Sequence, residues 1–127
     1  MGNRTVLVLK DSDWNDGVSY SKDNKIVDYI QPNDLGIYLH WNGSPNQVQE
    51  ILDKTKELMA DRIGDSFYTK ARMLGVINDL IPGNLSVGLG LAKELDYANG
   101  DNGYYVINCE DISIIDHVTP DWIGIDS

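Results

Sequence analysis

Basic residues are what this sequence is short of. It has 10 Lys and Arg against 20 Asp and Glu, a net charge of −10 over 127 residues. Nucleic-acid binding needs a basic face that displaces counterions from phosphates, so no direct nucleic-acid partner is expected. Anionic membrane surfaces repel such a chain too. The carboxylates are scattered from Asp11 to Asp126 without a long run, which points to solubility rather than to mimicry of nucleic acid. Cysteine is limited to Cys109. No internal disulfide can form, and its apolar neighbours mark it as a small buried hydrophobe. No apolar run nears the roughly 20 residues of a membrane helix. The opening Arg4–Leu9 shows no signal-peptide pattern. A cytoplasmic protein without a membrane partner is therefore expected, and the Asn-x-Ser/Thr triplets at Asn3, Asn42 and Asn84 carry no meaning as glycosylation sites. Internal repeats and low-complexity tracts are also lacking.

What is present is ordinary globular composition, 42% hydrophobic and 24% charged, enough for a single domain over residues 1–127 with a real core. The most informative stretch is Ile37–Pro45. Alternation along a strand puts Ile37, Leu39 and Trp41 on a core face and Tyr38, His40 and Asn42 on the other. Gly43 supplies a turn without a Cβ penalty. Ser44 is an N-cap, Pro45 the first helical residue, and Gln47 completes a Ser-x-x-Gln capping box. His40 can be read as a general base or ligand contact, or as a hydrogen-bonded histidine on a partly exposed sheet face.

The rest of the chain sorts by period. Thr5–Lys10 is a β-branched, apolar first strand. Asp11, Asp13 and Asn15 resemble the opening of a calcium loop, but Asp16 stands where its glycine belongs and Lys22 where its bidentate glutamate belongs. A polar loop with Trp14 folded back on the core is the plainer reading. Lys25–Ile30 reads as a short edge strand. A first helix over Pro45–Ile63 aligns Val48, Ile51, Leu52, Thr55, Leu58, Met59 and Ile63. A second over Phe67–Ile81 aligns Phe67, Ala71, Leu74, Ile77 and Ile81, widened by Met73, Val76 and Leu80. Gly75 within it predicts close packing. Leu85–Leu91 alternates strictly, with Leu85, Val87, Leu89 and Leu91 inward and Ser86, Gly88 and Gly90 on a low, open face. Turn chemistry at Asn99–Gly103 precedes a strand over Tyr104–Cys109, and Ile112–Val118 is the last strand, with Trp122 and Ile123 anchoring the tail. Strands grouped at both ends with helices between them predict an α+β fold: a mostly antiparallel sheet with two consecutive helices packed on one face.

Three segments together carry a resemblance: Tyr38–Gly43 (YLHWNG), Gly83–Gly88 (GNLSVG) and Gly100–Ile107 (GDNGYYVI). In order and spacing they resemble small phage and prophage proteins of uncharacterised function, over roughly residues 35 to 115. The resemblance implies an accessory gene product of a mobile element and brings no activity with it. The functional expectation is a non-enzymatic binding protein with a host or phage protein as partner. The alternative is a small-ligand binder or small hydrolase on the Ser/Gly face. It would use Tyr38, His40, Asn42 and Ser86, with Asp101 and Asn102 at the rim and His40 as general base. No nucleophile stands out. His40, His117 and the aspartates show no metal-ligand spacing, so no metal or cofactor is expected. Homo-oligomerisation through the broad apolar face of the second helix is a third expectation.

Overall fold

The computed structural model describes residues 3–11, 14–15, 18–20, 26–81 and 87–120. These residues form β1 (Thr5–Lys10), β2 (Ser19–Tyr20), β3 (Ile26–Asp28), β4 (Leu35–Leu39), α1 (Pro45–Met59), α2 (Ser66–Leu80), β5 (Val87–Leu91), β6 (Tyr104–Asn108) and β7 (Ser113–Val118). Short 3-10 turns follow α1 and β5. Five strands make one sheet in the order β5-β4-β1-β6-β7, while β2 and β3 pair separately. All main-sheet neighbours are antiparallel except β1 and β6, which run parallel. The architecture is α+β, with both helices on one face.

That face holds the larger core. Leu7, Leu9, Ile37, Leu39, Tyr105 and Ile107 project from the sheet against Val48, Ile51, Leu52, Met59, Met73 and Ile77 of the helices. Burying each such side chain stabilises the fold by about 1.5–3 kcal/mol. The opposite face is covered as well. Val6, Val8, Tyr104 and Val106 pack there against Tyr29, Ile30, Ala92, Trp14 and Leu95. Sheets covered on both sides have central strands without a wet face, and every residue of β1 is buried.

Several expectations change. β4 ends at Leu39, so Trp41 leaves the strand and stands 45% exposed instead of joining Ile37 and Leu39 in the core. The positive φ of the following turn falls on Asn42, at 66°. Gly43 is required for another reason: a Cβ there would lie 2.5 Å from the Asn3 carbonyl oxygen. α1 gives way to a 3-10 turn at Ala60, which leaves Leu58 and Ile63 exposed. α2 buries Met73, Val76 and Ile77 together with Ile81, as expected, but its first turns bury Ser66 and Thr69 instead, leaving Ala71 exposed and Phe67 81% exposed. A Cβ at Gly75 would meet nothing within 4 Å, so close packing does not explain that glycine. β5 is an edge strand whose Leu89 and Leu91 are 56% and 41% exposed. The glycine face is not open: Gly88 lies under Tyr38 and Gly90 beside Leu95, at 3.6 and 3.9 Å from an added Cβ. Within the expected strand 25–30, Ile26–Asp28 pairs with β2 rather than with the main sheet, and Tyr29 and Ile30 turn under the sheet. Ile112 sits in a turn with φ 58°, so the last strand starts one residue later. Asp13, Asp16, Lys22, Leu85, Ser86, Trp122 and Ile123 lie outside the described residues.

Candidate functional site

The registers bring one end of the sheet together. Leu39 closes β4 between Thr5 of β1 and Val87 of β5. Tyr104 opens β6 between Val6 and Val118. The segments Tyr38–Gly43 and Gly100–Ile107 therefore meet around Asn3 and Arg4, with the start of β5 alongside.

Asparagines fasten this end. The Gly43 N–H donates to the Asn3 carbonyl at 3.0 Å, and the buried Tyr105 hydroxyl donates to the Gly43 carbonyl at 2.8 Å. Gln47 Oε1 accepts from Asn3 Nδ2 at 2.7 Å, from Ser44 Oγ at 2.8 Å and from the Ser44 N–H at 3.4 Å. The expected helix start is thus tied to the first strand as well as to its own first turn. Asn102 Nδ2 donates to Asn3 Oδ1 at 2.7 Å and to the Arg4 carbonyl at 3.0 Å. Buried Asn99 organises the adjoining loop. Its Oδ1 accepts the N–H groups of Asp101, Asn102 and Gly103 at 3.1, 3.0 and 3.1 Å, and its Nδ2 donates to the carbonyls of Asp96 and Gly103. Gly103, at φ 66°, passes so close to Val118 that a Cβ would sit 2.1 Å from its carbonyl oxygen. Paired groups of this kind satisfy buried backbone where strands leave the sheet.

Charge and rings lie beside this seam. Arg4 Nε and its backbone N–H both donate to Asp101 Oδ2, at 2.8 and 3.1 Å, and a terminal guanidinium nitrogen reaches Asp96 at 3.1 Å. The Arg4 side-chain bond is the main reason that the Asp101 carboxyl titrates below its ordinary value. The Tyr38 hydroxyl and His40 Nδ1 are 2.9 Å apart. Burial raises the Tyr38 phenol, Arg4 opposes, and the Asp96 and Asp101 carboxylates add to the rise. With the phenol as donor, Nδ1 accepts and Nε2 carries the imidazole proton. The His40 ring meets Trp41 edge-on at 4.8 Å. His117, on β7, stacks on Tyr105 at 3.9 Å, and its Nε2 lies 2.6 Å from the Asn102 carbonyl.

Of the residues singled out from sequence, Tyr38, His40, Asn42, Asp101 and Asn102 do gather at this end, while Ser86 is outside the described residues. Most of their polar atoms are engaged within the protein: Asp101 by Arg4, Asn102 by Asn3 and the Arg4 carbonyl, Tyr38 by His40. Arg4, Asp96, Asn99, Tyr105 and His117 were not legible as members. Only the dense turn chemistry around Asn99 carried a signal.

A second surface is formed by Ile63 and Phe67, which the sequence pattern places on the apolar helix faces. At the far end of α1, about 22 Å from its start at 1.5 Å per residue, Ile63, Phe67 and Tyr68 are exposed together. The Arg62 guanidinium sits over the Tyr68 ring at 4.4 Å, and the Lys70 ammonium lies 5.7 Å from the Phe67 centroid. A cleft of about 720 Å³ runs beside them, bounded by Asp61, Asp65, Phe67 and Glu110. The first turn of α2 is held from within. Asp11 Oδ1 accepts from Ser66 Oγ at 2.7 Å and pairs with Lys70 at 3.0 Å.

No protein-family model, curated protein or solved structure matches this chain.

Proposed function

We propose that this is a non-enzymatic binding protein that docks a host or phage protein on the turn between α1 and α2. This is the role of an accessory product of a mobile element. One observation carries the reading: α2 buries Ser66 and Thr69 while holding Phe67 81% exposed. Turning a phenylalanine to water forgoes about 1.5–3 kcal/mol of burial, a loss that a partner's surface recovers on contact. Tyr68, Arg62 and Ile63 surround it, and aromatic residues with arginine are the types that dominate protein–protein hot spots. Cations over both rings within an acidic surround fit a protein partner of mixed charge better than a polyanion.

A second reading places a small ligand at Tyr38 and His40, favoured by their hydrogen bond at 2.9 Å. Its weakness is that the polar groups beside them are already engaged, Asp101 by Arg4 and Asn102 by Asn3 and the Arg4 carbonyl.

One capture experiment from host lysate separates the two. The immobilised parent protein is expected to retain a specific partner, and Phe67→Ser together with Arg62→Ala is expected to lose it with the fold unchanged by circular dichroism. His40→Ala, at the other end of α1, is expected to retain it. Retention by the Phe67 variant would overturn the first reading, and so would loss through His40→Ala alone, which would put the contact at the other end of α1; a parent that retains no partner would favour the second.

A further inference from the structure

The two edges of the main sheet are built differently. Exposed edges invite pairing, and folds blunt them with charge, proline or irregular register. β7 is blunted: it carries Asp116 and His117, and its register against β6 shifts between Val106 and Ile107. β5 is not. Val87-Gly88-Leu89-Gly90-Leu91 holds no charge and no proline, and it pairs with β4 in unbroken register through all five positions. Among the described residues no strand lies on its outer side. The flank is neutral too, since Leu80–Ala92 contains no charged residue in a chain of net charge −10.

We propose that β5 is a dimerisation edge, where two copies pair their β5 strands antiparallel about a two-fold axis through Leu89. The occupant is a second copy because the strand matches its own reverse. Centred on Leu89, Leu89 faces Leu89, Gly88 faces Gly90, and Val87 faces Leu91. A two-fold interface demands such self-complementarity, whereas a foreign peptide needs none. The half-exposed Leu89 and Leu91 then close into a shared apolar row, and the glycines of both copies line the reverse face. Slipping the pairing by one residue would set leucine against glycine, so the alternation also selects the register. Two acidic chains meet where neither carries charge, and the sheets join into one of ten strands.

Sedimentation over a concentration series tests this, with variants that read the register. The parent protein is expected to show a reversible monomer–dimer equilibrium. Leu89→Lys sets two ammonium groups opposite each other at the axis and is expected to be folded and monomeric at every concentration. Leu89→Cys is expected to give a cross-linked dimer on mild oxidation, because directly opposed Cβ atoms lie about 4.5–5.5 Å apart. Leu91→Cys places its two thiols about four residues apart along the strands, roughly 14 Å, and is expected to give none. Cys109 is buried and does not compete. A monomeric parent, a dimer that survives Leu89→Lys, or equal cross-linking by both cysteine variants would each overturn the proposal.

Discussion

Lys10 ends β1 with its side chain only 2% exposed, donating to the Tyr29 carbonyl and to Asp34. Asp34 also accepts the Gln31 N–H at 2.8 Å, and its own carbonyl takes the Ala92 N–H at 2.8 Å. The pair thus pins two loops of the second layer to the sheet. A buried charge left without its partner costs far more than the pair contributes. Asp34→Ala strands the ammonium and is expected to cost about 3–5 kcal/mol. Lys10→Met removes the charge, fills similar space and leaves Asp34 nearer to solvent, so its loss should be clearly smaller. Urea midpoints of the two variants decide the matter: equal losses would mean that the carboxylate is not what makes the buried ammonium tolerable. From sequence, Lys10 was only the polar end of a strand. The same limit held for His40, Asp101 and Asn102. Their residue types were visible as hydrogen-bonding groups, but a sequence does not say that Arg4, some 97 positions away, takes up Asp101.

At the scale of elements, the local signals and the long-range ones part company. The start of α1 was legible because its bonds join neighbours: Ser44, Pro45 and Gln47 stand where the structure uses them. The stripe of α2 through Met73, Val76, Ile77 and Ile81 was legible, but its first turns were misread, because apolar residues occur there on more than one side and a contact distant in sequence chooses between them. Asp11 takes Ser66 and Lys70, which turns the first helical turn so that Thr69 faces inward and Phe67 outward. The leucines of β5 were misread for a related reason, since alternation gives the face of a strand but not whether the helices extend over it. Gly75 offers a direct check on α2. It lies mid-helix, exposed, with nothing within 4 Å of an added Cβ. Gly75→Ala should then raise unfolding stability by about 0.5–1 kcal/mol through backbone entropy and helix propensity alone. A thermal melt that shows destabilisation would mean that something packs against this position after all.

Across the whole molecule, the fold depends on pairings that span almost the full chain. β1 lies between β4 and β6, parallel to the latter, and no pattern within either strand announces that neighbour. The α+β class and the single face for both helices followed from the order of elements, whereas the strand order and the loop layer over the other face did not. The tie of Arg4 to Asp96 and Asp101 closes this long circuit, and it carries a pH dependence of definite sign. Arg4 holds the folded Asp101 carboxyl below its ordinary value. At Asp11, burial pushes upward, but the hydrogen bonds from Ser66 and Lys70 outweigh it and the net shift is also downward. In both cases the unfolded chain takes up a proton at higher pH than the folded one. The stability they contribute is therefore complete above the ordinary carboxylate range near about pH 4 and is lost as pH falls through the depressed folded values. Asp101→Asn keeps the shape and removes the titration. It should be less stable than the parent at neutral pH, and its urea midpoint should fall less steeply on acidification from about pH 5 to about pH 3. Parallel midpoint curves for the two proteins over that range would show that joining the first strand to the 99–103 loop does not draw on the Asp101 charge.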